Sequence, residues 1–401
     1  RETFIDPGYA FTFIGFEWLH PEPGGIMYIV YGVMAGLGLL IMTGWQYRIS
    51  MILFTFLWWS SYLMQKTNYN NHYYLLLLLS GIMIFLPAEK KYSMDAARNP
   101  AIKSDQCHYW CKLILIVQIS IVYFFAGIGK ISVDWLQGKP LEILFASRKD
   151  LFLIGDLLQQ TWFRYFIAYG GILFDLFIIP ALLWKKTRVP ALLCCLFFHL
   201  FNSCVFGIGV FPYLMIGTSI LFIPARKLEQ FFFRTKSAGN FSSENTNSLF
   251  RKRITVTALL LYISIQLLLP LRHLLYKGNV HWTEQGHRMS WHMMLRVKTG
   301  SVFFRIDDPE RGVSEMVYPF HLLNPEQYNA MACRPDMIWQ FSRHLHKLYL
   351  KKGFKNPEIY AFSSVSLNGR VPAPLISSKV DLLKQDWDSY TSSPWILSEP
   401  E

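Results

Sequence analysis

The sequence predicts a multi-pass α-helical membrane bundle of about eight helices, followed by a C-terminal outward-facing α+β domain. Three observations carry that reading. Apolar residues make up 52% of the chain and charged residues only 16%, where soluble proteins carry about 25% charged residues. The apolar residues are gathered into blocks close to the roughly 20 residues that a spanning helix needs. Lys and Arg alternate in density from one connecting loop to the next.

Residues 1–25 form an N-terminal segment on the outer side, ahead of a transmembrane domain over 26–273. Its apolar stretches lie at 26–43, 48–64, 73–87, 109–129, 163–184, 189–206, 209–224 and 254–272. The stretch at 73–87 is short enough to be tilted, re-entrant or extended at its start by Asn70, Asn71 and His72. One set of loops collects Arg48, then Lys90, Lys91, Arg98 and Lys103, then Lys185, Lys186 and Arg188, then Arg226, Lys227, Arg234, Lys236, Arg251, Lys252 and Arg253. The other set holds Lys66, Lys130, Lys139, Arg148 and Lys149. Basic residues stay preferentially in the cytoplasm, so the segment after His273 faces outward. With eight spans the N-terminus also faces outward, and one more helix before Arg1 would restore a cytoplasmic start.

Residues 225–253 read as a basic, Ser/Asn-rich cytoplasmic connector, which leaves the sequon at Asn240 unused. Residues 274–401 are less apolar. Alternating stretches at 301–306 and 359–367, with a helix over 337–351, predict the α+β domain.

The net charge of +12 follows from a basic cytoplasmic rim, so no nucleic-acid partner is expected. The six cysteines give no disulfide framework, and only Cys204 and Cys333 share the outer side as a possible bridge. No Cys/His spacing suits zinc, and His344 and His346 do not share a helix face, so no metal is expected.

Candidate functional residues cluster at outer helix ends. Lys130 closes the apolar stretch from Ile114 to Gly129, where a lysine is ordinarily an interfacial anchor that snorkels to water. Asn71 and His72 follow Lys66 on the same side, where they can simply cap a helix. His199 and Asn202, three apart, share a face near the outer end of their helix. Asp175 lies well inside the 163–184 helix, where an ionisable group marks a candidate site unless a cation such as Arg164 neutralises it. Together these groups predict a polar cavity near the outer membrane face. An amine in an apolar pocket is disfavoured in its charged form and can act as a base near neutral pH. A histidine and an asparagine beside it can donate hydrogen bonds to a developing oxyanion. That set suits proton removal from a weak acid such as a hydroquinone.

Asn-Asn-His at 70–72, Ala-Gly-x-x-Lys-x-x-x-Asp-Trp from Ala126 to Trp135, and Phe-His-x-x-Asn-Ser from Phe198 to Ser203 resemble motifs of the vitamin K-dependent gamma-carboxylase family. Gly286-His287-Arg288-x-Ser290-Trp291-x-Met293-Met294-Leu295-Arg296, Arg334-Pro335-Asp336-Met337, Ser366-Leu367-Asn368-Gly369-Arg370 and Val380-Asp381-Leu382 look like its bacterial branch, the horizontally transferred transmembrane (HTTM) family. The resemblance covers nearly the whole chain. It implies a lyase-class membrane enzyme with a vitamin K epoxidase half-reaction. Reduced vitamin K, here of the menaquinol type, is oxygenated with O2, and the alkoxide formed removes a γ-proton from a peptide glutamate, which then attacks CO2. Lys130 matches the initiating base and His72 the residue that stabilises the carbanion or its developing charge. Asn71, His199 and Asn202 match pocket positions, with Asp175 beside them, while Trp291 and Arg296 lie in the outer segment that members fold toward the membrane site. Arg296 can pair with the substrate carboxylate or form a salt bridge within the outer domain.

The implied partners are a glutamate-containing peptide or protein, the lipid bilayer and a membrane quinone reductase. The implied location is a bacterial inner membrane with a periplasmic site, or the endoplasmic reticulum if the chain is eukaryotic. Animal members place a basic residue where this chain has Gly129 and an acidic one where it has His292, and they extend further at the C-terminus, so propeptide recognition of the animal kind is not implied. Two alternatives stay open: a quinol epoxidase serving another acceptor, and a membrane binding or transport protein with Lys130, Asp175 and His72 along its path.

Overall fold

Long apolar runs without backbone partners from elsewhere have one way to satisfy their amides in lipid, which is to bond i to i+4 along a helix. The structure, a computed structural model, describes residues 4–5, 8–21, 25–233 and 249–400. The connector residues 234–248, with Asn240, lie outside the described residues. The helices used below are α1 Ile26–Thr43, α2 Tyr47–Met64, α3 Asn71–Phe85, α4 Tyr109–Gly129, α5 Thr161–Leu183, α6 Arg188–Phe206, α7 Phe211–Ser219 and α8 Leu249–Leu268.

All eight expected stretches are helical, and among the described residues five helices are, by length and composition, long and apolar enough to cross a membrane: α1, α4, α5, α6 and Lys252–Leu275, which runs from α8 into a 3-10 stretch. The other three fall below that measure on length or composition. α3 has 15 residues and α7 only 9, short of the roughly 20 a span requires. α2 is diluted by Arg48, Ser50, Ser60 and Ser61. Among the five, α4 is the most enclosed, with 61% of its span buried. It is therefore the central helix of its bundle, and it is the one that ends at Lys130.

Contacts divide the chain into two units, one of 1–31, 59–70 and 270–401, the other of 32–58 and 71–269. The second is the helical bundle, where α4 packs along α5 and α6 packs on both α5 and α7. The first unit holds a three-stranded antiparallel sheet, with β1 Lys298–Asp308, β2 Val313–Val317 and β3 Glu358–Leu367 in the order β2-β1-β3. Phe304 stands opposite Val317 on one side and Ala361 on the other. The period-2 alternation of β1 puts Val302, Phe304 and Ile306 on the buried face, as a one-sided sheet requires. That face packs with Met337, Phe341 and Leu345 of α10 Pro335–Lys351. Before α10 stands α9 Pro325–Ala332, whose start is fixed by a capping box between Asn324 and Gln327.

The N-terminal segment is laced into this same unit. Lys66 N–H donates to Phe11 O at 2.7 Å, Phe11 N–H to Gln65 Oε1 at 3.0 Å, and Gln340 Nε2 to Thr12 O at 3.2 Å. Motif residues of the outer domain serve its turns. Val297 and Asn368 exchange bonds, Val297 N–H to Asn368 Oδ1 and Asn368 N–H to Val297 O, both 2.8 Å, and Asp381 Oδ1 accepts from Ile359 N–H at 3.0 Å. All six cysteines are unbridged, so the Cys204–Cys333 bridge is not formed.

Candidate active site

α4 ends at Gly129, and Lys130 caps it with helical φ and ψ. A snorkelling anchor would carry its ammonium out to water. Lys130 does the opposite: it is 7% exposed, with Nζ 2.5 Å from Asp175 Oδ2 and 3.3 Å from Ala126 O. Gly127 permits that approach, because a Cβ there would stand 2.7 Å from Leu176 Cδ2 and 3.3 Å from Asp175 Cβ. Trp135, in the one-turn helix Val133–Leu136, donates Nε1–H to Ala168 O of α5 at 2.9 Å, and Lys130 Nζ lies 5.6 Å from its ring centroid. The Lys-x-x-x-Asp-Trp motif is thereby folded onto α5. Arg164, the other cation considered for Asp175, bonds Glu142 at 2.8 Å instead.

A second polar pair joins α4 to α6. His199 of α6 is 1% exposed, and its Nε2 is 2.8 Å from Tyr123 Oη of α4. Its Nδ1 is buried with no hydrogen-bond partner among the described residues. Phe174, next to Asp175, stacks on Phe198 at 3.8 Å and meets Tyr123 and His199 edge-on at 5.8 and 6.0 Å. Phe211 meets His199 edge-on at 6.0 Å and stacks on His72 at 3.9 Å. Lys130 with Asp175, Tyr123 with His199, and His72 are thus joined through aromatic walls within one unit. Asn71 is buried at the start of α3, and Asn202 is half-buried one turn beyond His199.

Trp291 and Arg296 belong to the unit of the outer domain. Trp291 is 1% exposed. The Arg296 guanidinium grips Glu284 with both arms, Nε to Oε1 at 2.6 Å and Nη2 to Oε2 at 2.5 Å, so the fork suited to a carboxylate is already filled. Burial by itself would raise the Glu284 carboxyl, but the charges of Arg296 and Lys298 outweigh it and hold it at about 2. Burial pushes the Lys298 amine down to about 8, with Glu284 acting the other way. Arg288 makes a similar two-point pair with Asp336 at 2.8 and 3.2 Å, and Lys66 Nζ lies 2.6 Å from the same carboxylate. Burial would raise Asp336, yet Arg288 and Lys66 keep it well below the usual carboxylate range. These groups line a cavity of about 200 Å³ together with Arg272, Tyr276 and Glu284.

The segment between these pairs is strained. Glu284, Met289, Trp291 and Met294 have φ of 60°, 65°, 60° and 62°, a left-handed conformation that costs a residue with a Cβ about 1–2 kcal/mol. Within it, burial pushes the His292 imidazole down to about 3 and, with Arg296 and His292 adding, takes His287 well below its ordinary value.

Sequence reasoning did not single out Tyr123 or Glu284, and it met His287 and His292 only as positions compared with family motifs. Tyr123 carried a signal, since it precedes Lys130 by seven positions and so shares its helix face. Glu284 carried none, and the convergence of the histidines was not legible, because no helical or strand period runs through 284–296.

Two family models match the chain. One, described as HTTM domain, covers residues 1–226, and the other, described as vitamin K-dependent gamma-carboxylase, lumenal domain, covers residues 251–401. No solved structure matches it.

Proposed function

This chain belongs to the vitamin K-dependent gamma-carboxylase family, and from that premise we propose that it couples oxygenation of a menaquinol-type reduced vitamin K to carboxylation of peptide glutamate with CO2. The observation that carries the reading is the buried Lys130–Asp175 contact of 2.5 Å at the end of α4. An ion pair kept only for stability is poorly motivated at such depth, because apolar side chains of similar volume do as well or better.

The residues fit a hydroquinone. Phe174, Phe198 and Phe211 offer apolar ring faces, and the orphaned His199 Nδ1 offers a hydrogen bond to a ring oxygen. Reduced vitamin K, with O2, supplies a base stronger than any side chain, which a carbon acid beside a carboxylate demands. With the proton of the pair resting on Asp175 Oδ2, Lys130 Nζ is a neutral amine that accepts the hydroxyl proton, and Asp175 orients that nitrogen. Tyr123 holds the His199 ring through Nε2. His72, held by the Phe211 ring, answers the negative charge that develops on the glutamate side chain. Asn71 and Asn202 shape the pocket. Arg296, already paired with Glu284, acts by shaping the outer segment that carries Trp291. A glutamate-containing peptide and a membrane quinone reductase are the partners this chemistry needs. The lumenal-type domain faces the periplasm in a bacterial membrane and the endoplasmic reticulum lumen in a eukaryotic one.

The test is to incubate purified protein with reduced menaquinone, O2, labelled bicarbonate and a glutamate-rich peptide, following epoxide and fixed label together. Both products in the wild type, lost together in Lys130→Ala, support the reading. Epoxide without fixed label replaces it with a quinol oxygenase serving another acceptor. Neither product from well-folded protein overturns it.

A further inference from the structure

Three histidines meet in the outer domain although nothing in their spacing aligns them. His281 lies in the one-turn helix Val280–Thr283, and His287 and His292 lie on the strained segment that follows. Each brings a ring nitrogen to within 4.8 Å of the others. We propose that His281, His287 and His292 form a binding site for a divalent first-row metal ion with a preference for nitrogen ligands, zinc foremost, with the fourth position left to water.

Ring orientation favours ligation over plain packing of aromatic side chains. Interplanar angles are 68° between His281 and His287, 45° between His281 and His292, and 73° between His287 and His292. The rings do not stack face to face, and it is nitrogens that converge. His287 gives an independent sign. It is 5% exposed, and its Nε2 is buried with no hydrogen-bond partner among the described residues. A buried ring nitrogen in that condition calls for an explanation, and an ion is one. Its other nitrogen, Nδ1, faces Glu284 Oε2 at 3.8 Å. A carboxylate behind a histidine whose far nitrogen is free is the arrangement that orients metal-binding imidazoles. His273 buttresses His292 from behind, with ring centroids 4.8 Å apart and its own Nδ1 2.8 Å from Pro270 O. Gly286 allows that packing, because a Cβ there would stand 2.6 Å from His273 Cα.

Zinc–nitrogen distances of about 2.0–2.1 Å place tetrahedral ligand nitrogens roughly 3.4 Å apart. The three nitrogens therefore close inward on binding, as side chains on irregular backbone can. Arg296 and Arg288 act on His287, and Arg296, His273 and Glu284 on His292. The cations oppose a dication and Glu284 favours it, so binding is weaker than in a closed thiolate site. Three nitrogens and no thiolate select zinc, cobalt or nickel over calcium and magnesium. An ion held between positions 281 and 292 also clamps the strained backbone between them.

The test uses tag-free full-length protein in detergent, stripped with a chelator and titrated with Co2+ and then Zn2+. The expected result is one Co2+ per chain, with visible absorption bands that Zn2+ abolishes. His287→Ala and His292→Ala lose the bands, whereas His321→Ala, at an exposed position of the same domain, keeps them. Failure of the stripped wild type to take up Co2+ at micromolar concentration overturns the proposal, as does equal uptake by the triple His281→Ala, His287→Ala, His292→Ala protein. Should the variants not fold, X-ray absorption on zinc-loaded wild type decides: three imidazole shells support the site, and fewer than two overturn it.

Discussion

Lys130 and Asp175 are 45 positions apart in the chain, and their side chains meet at 2.5 Å across α4 and α5. The contact joins the cap of the central helix to the interior of its neighbour. It converts two residues that would each be costly alone at this depth into one unit.

That unit has a thermodynamic signature. Asp175→Leu alone strands an amine, Lys130→Met alone strands a carboxylate, and each is expected to lower stability by about 3–5 kcal/mol. The double replacement leaves no orphan and should lie closer to wild type than either single. Denaturation in detergent across the four proteins checks this, and strictly additive losses would refute the pairing. Epoxide formation should be abolished in the double as in Lys130→Met.

Gly127 is expected to matter for geometry more than for folding. A methyl group at this position meets Leu176 at 2.7 Å, and overpacking of this kind costs about 1–3 kcal/mol. Gly127→Ala should reduce epoxide formation at least tenfold with only a modest fall in unfolding temperature. Adding Leu176→Ala should recover part of the rate. Unchanged kinetics in Gly127→Ala would show that the helix approach is not needed.

Tyr123→Phe removes the hydroxyl that meets His199 Nε2 and leaves a buried ring nitrogen unsatisfied, at about 1–3 kcal/mol. The paired change Tyr123→Phe with His199→Phe removes both partners and should cost less than Tyr123→Phe alone. Thermal unfolding of the two proteins distinguishes the outcomes.

Glu284 predicts acid sensitivity of the outer domain. Its carboxyl is lowered in the fold from the ordinary 4.5 to about 2. A depressed carboxylate stabilises the native state above the unfolded value, and the contribution is lost as pH falls through the folded one. The loss falls between about pH 4.5 and 2, on the order of 3 kcal/mol at 1.36 kcal/mol per unit. Comparing wild type with Glu284→Gln across that window should show the wild type declining more steeply. Parallel profiles would place the acid response elsewhere, Asp336 first.

Lys130, His72, Asn71, Asp175, His199 and Asn202 were all legible as polar groups in or beside apolar helices, because hydropathy is a local property. Their partners were not. For Asp175 the sequence offered Arg164 of its own helix as a neutralising cation, and the packing of α5 against α4 gives it Lys130 instead. Arg296 read equally well as a substrate clamp and as a domain salt bridge, and the turn at Glu284 fills its fork.

By itself the sequence determined that this protein is a helical membrane bundle with an α+β outer domain, which helices exist, and where the central lysine falls. Composition and periodicity record the surroundings each residue faces, and that information sits within a window of about 20 residues. Tertiary structure alone decided that α4 is the most enclosed of the five helices long and apolar enough to span. It also decided that residues 1–31 and 59–70 join 270–401 in one unit, and that three histidines converge. Those outcomes depend on contacts between distant positions and on irregular backbone at 284–296, where no period exists to project one side chain onto another.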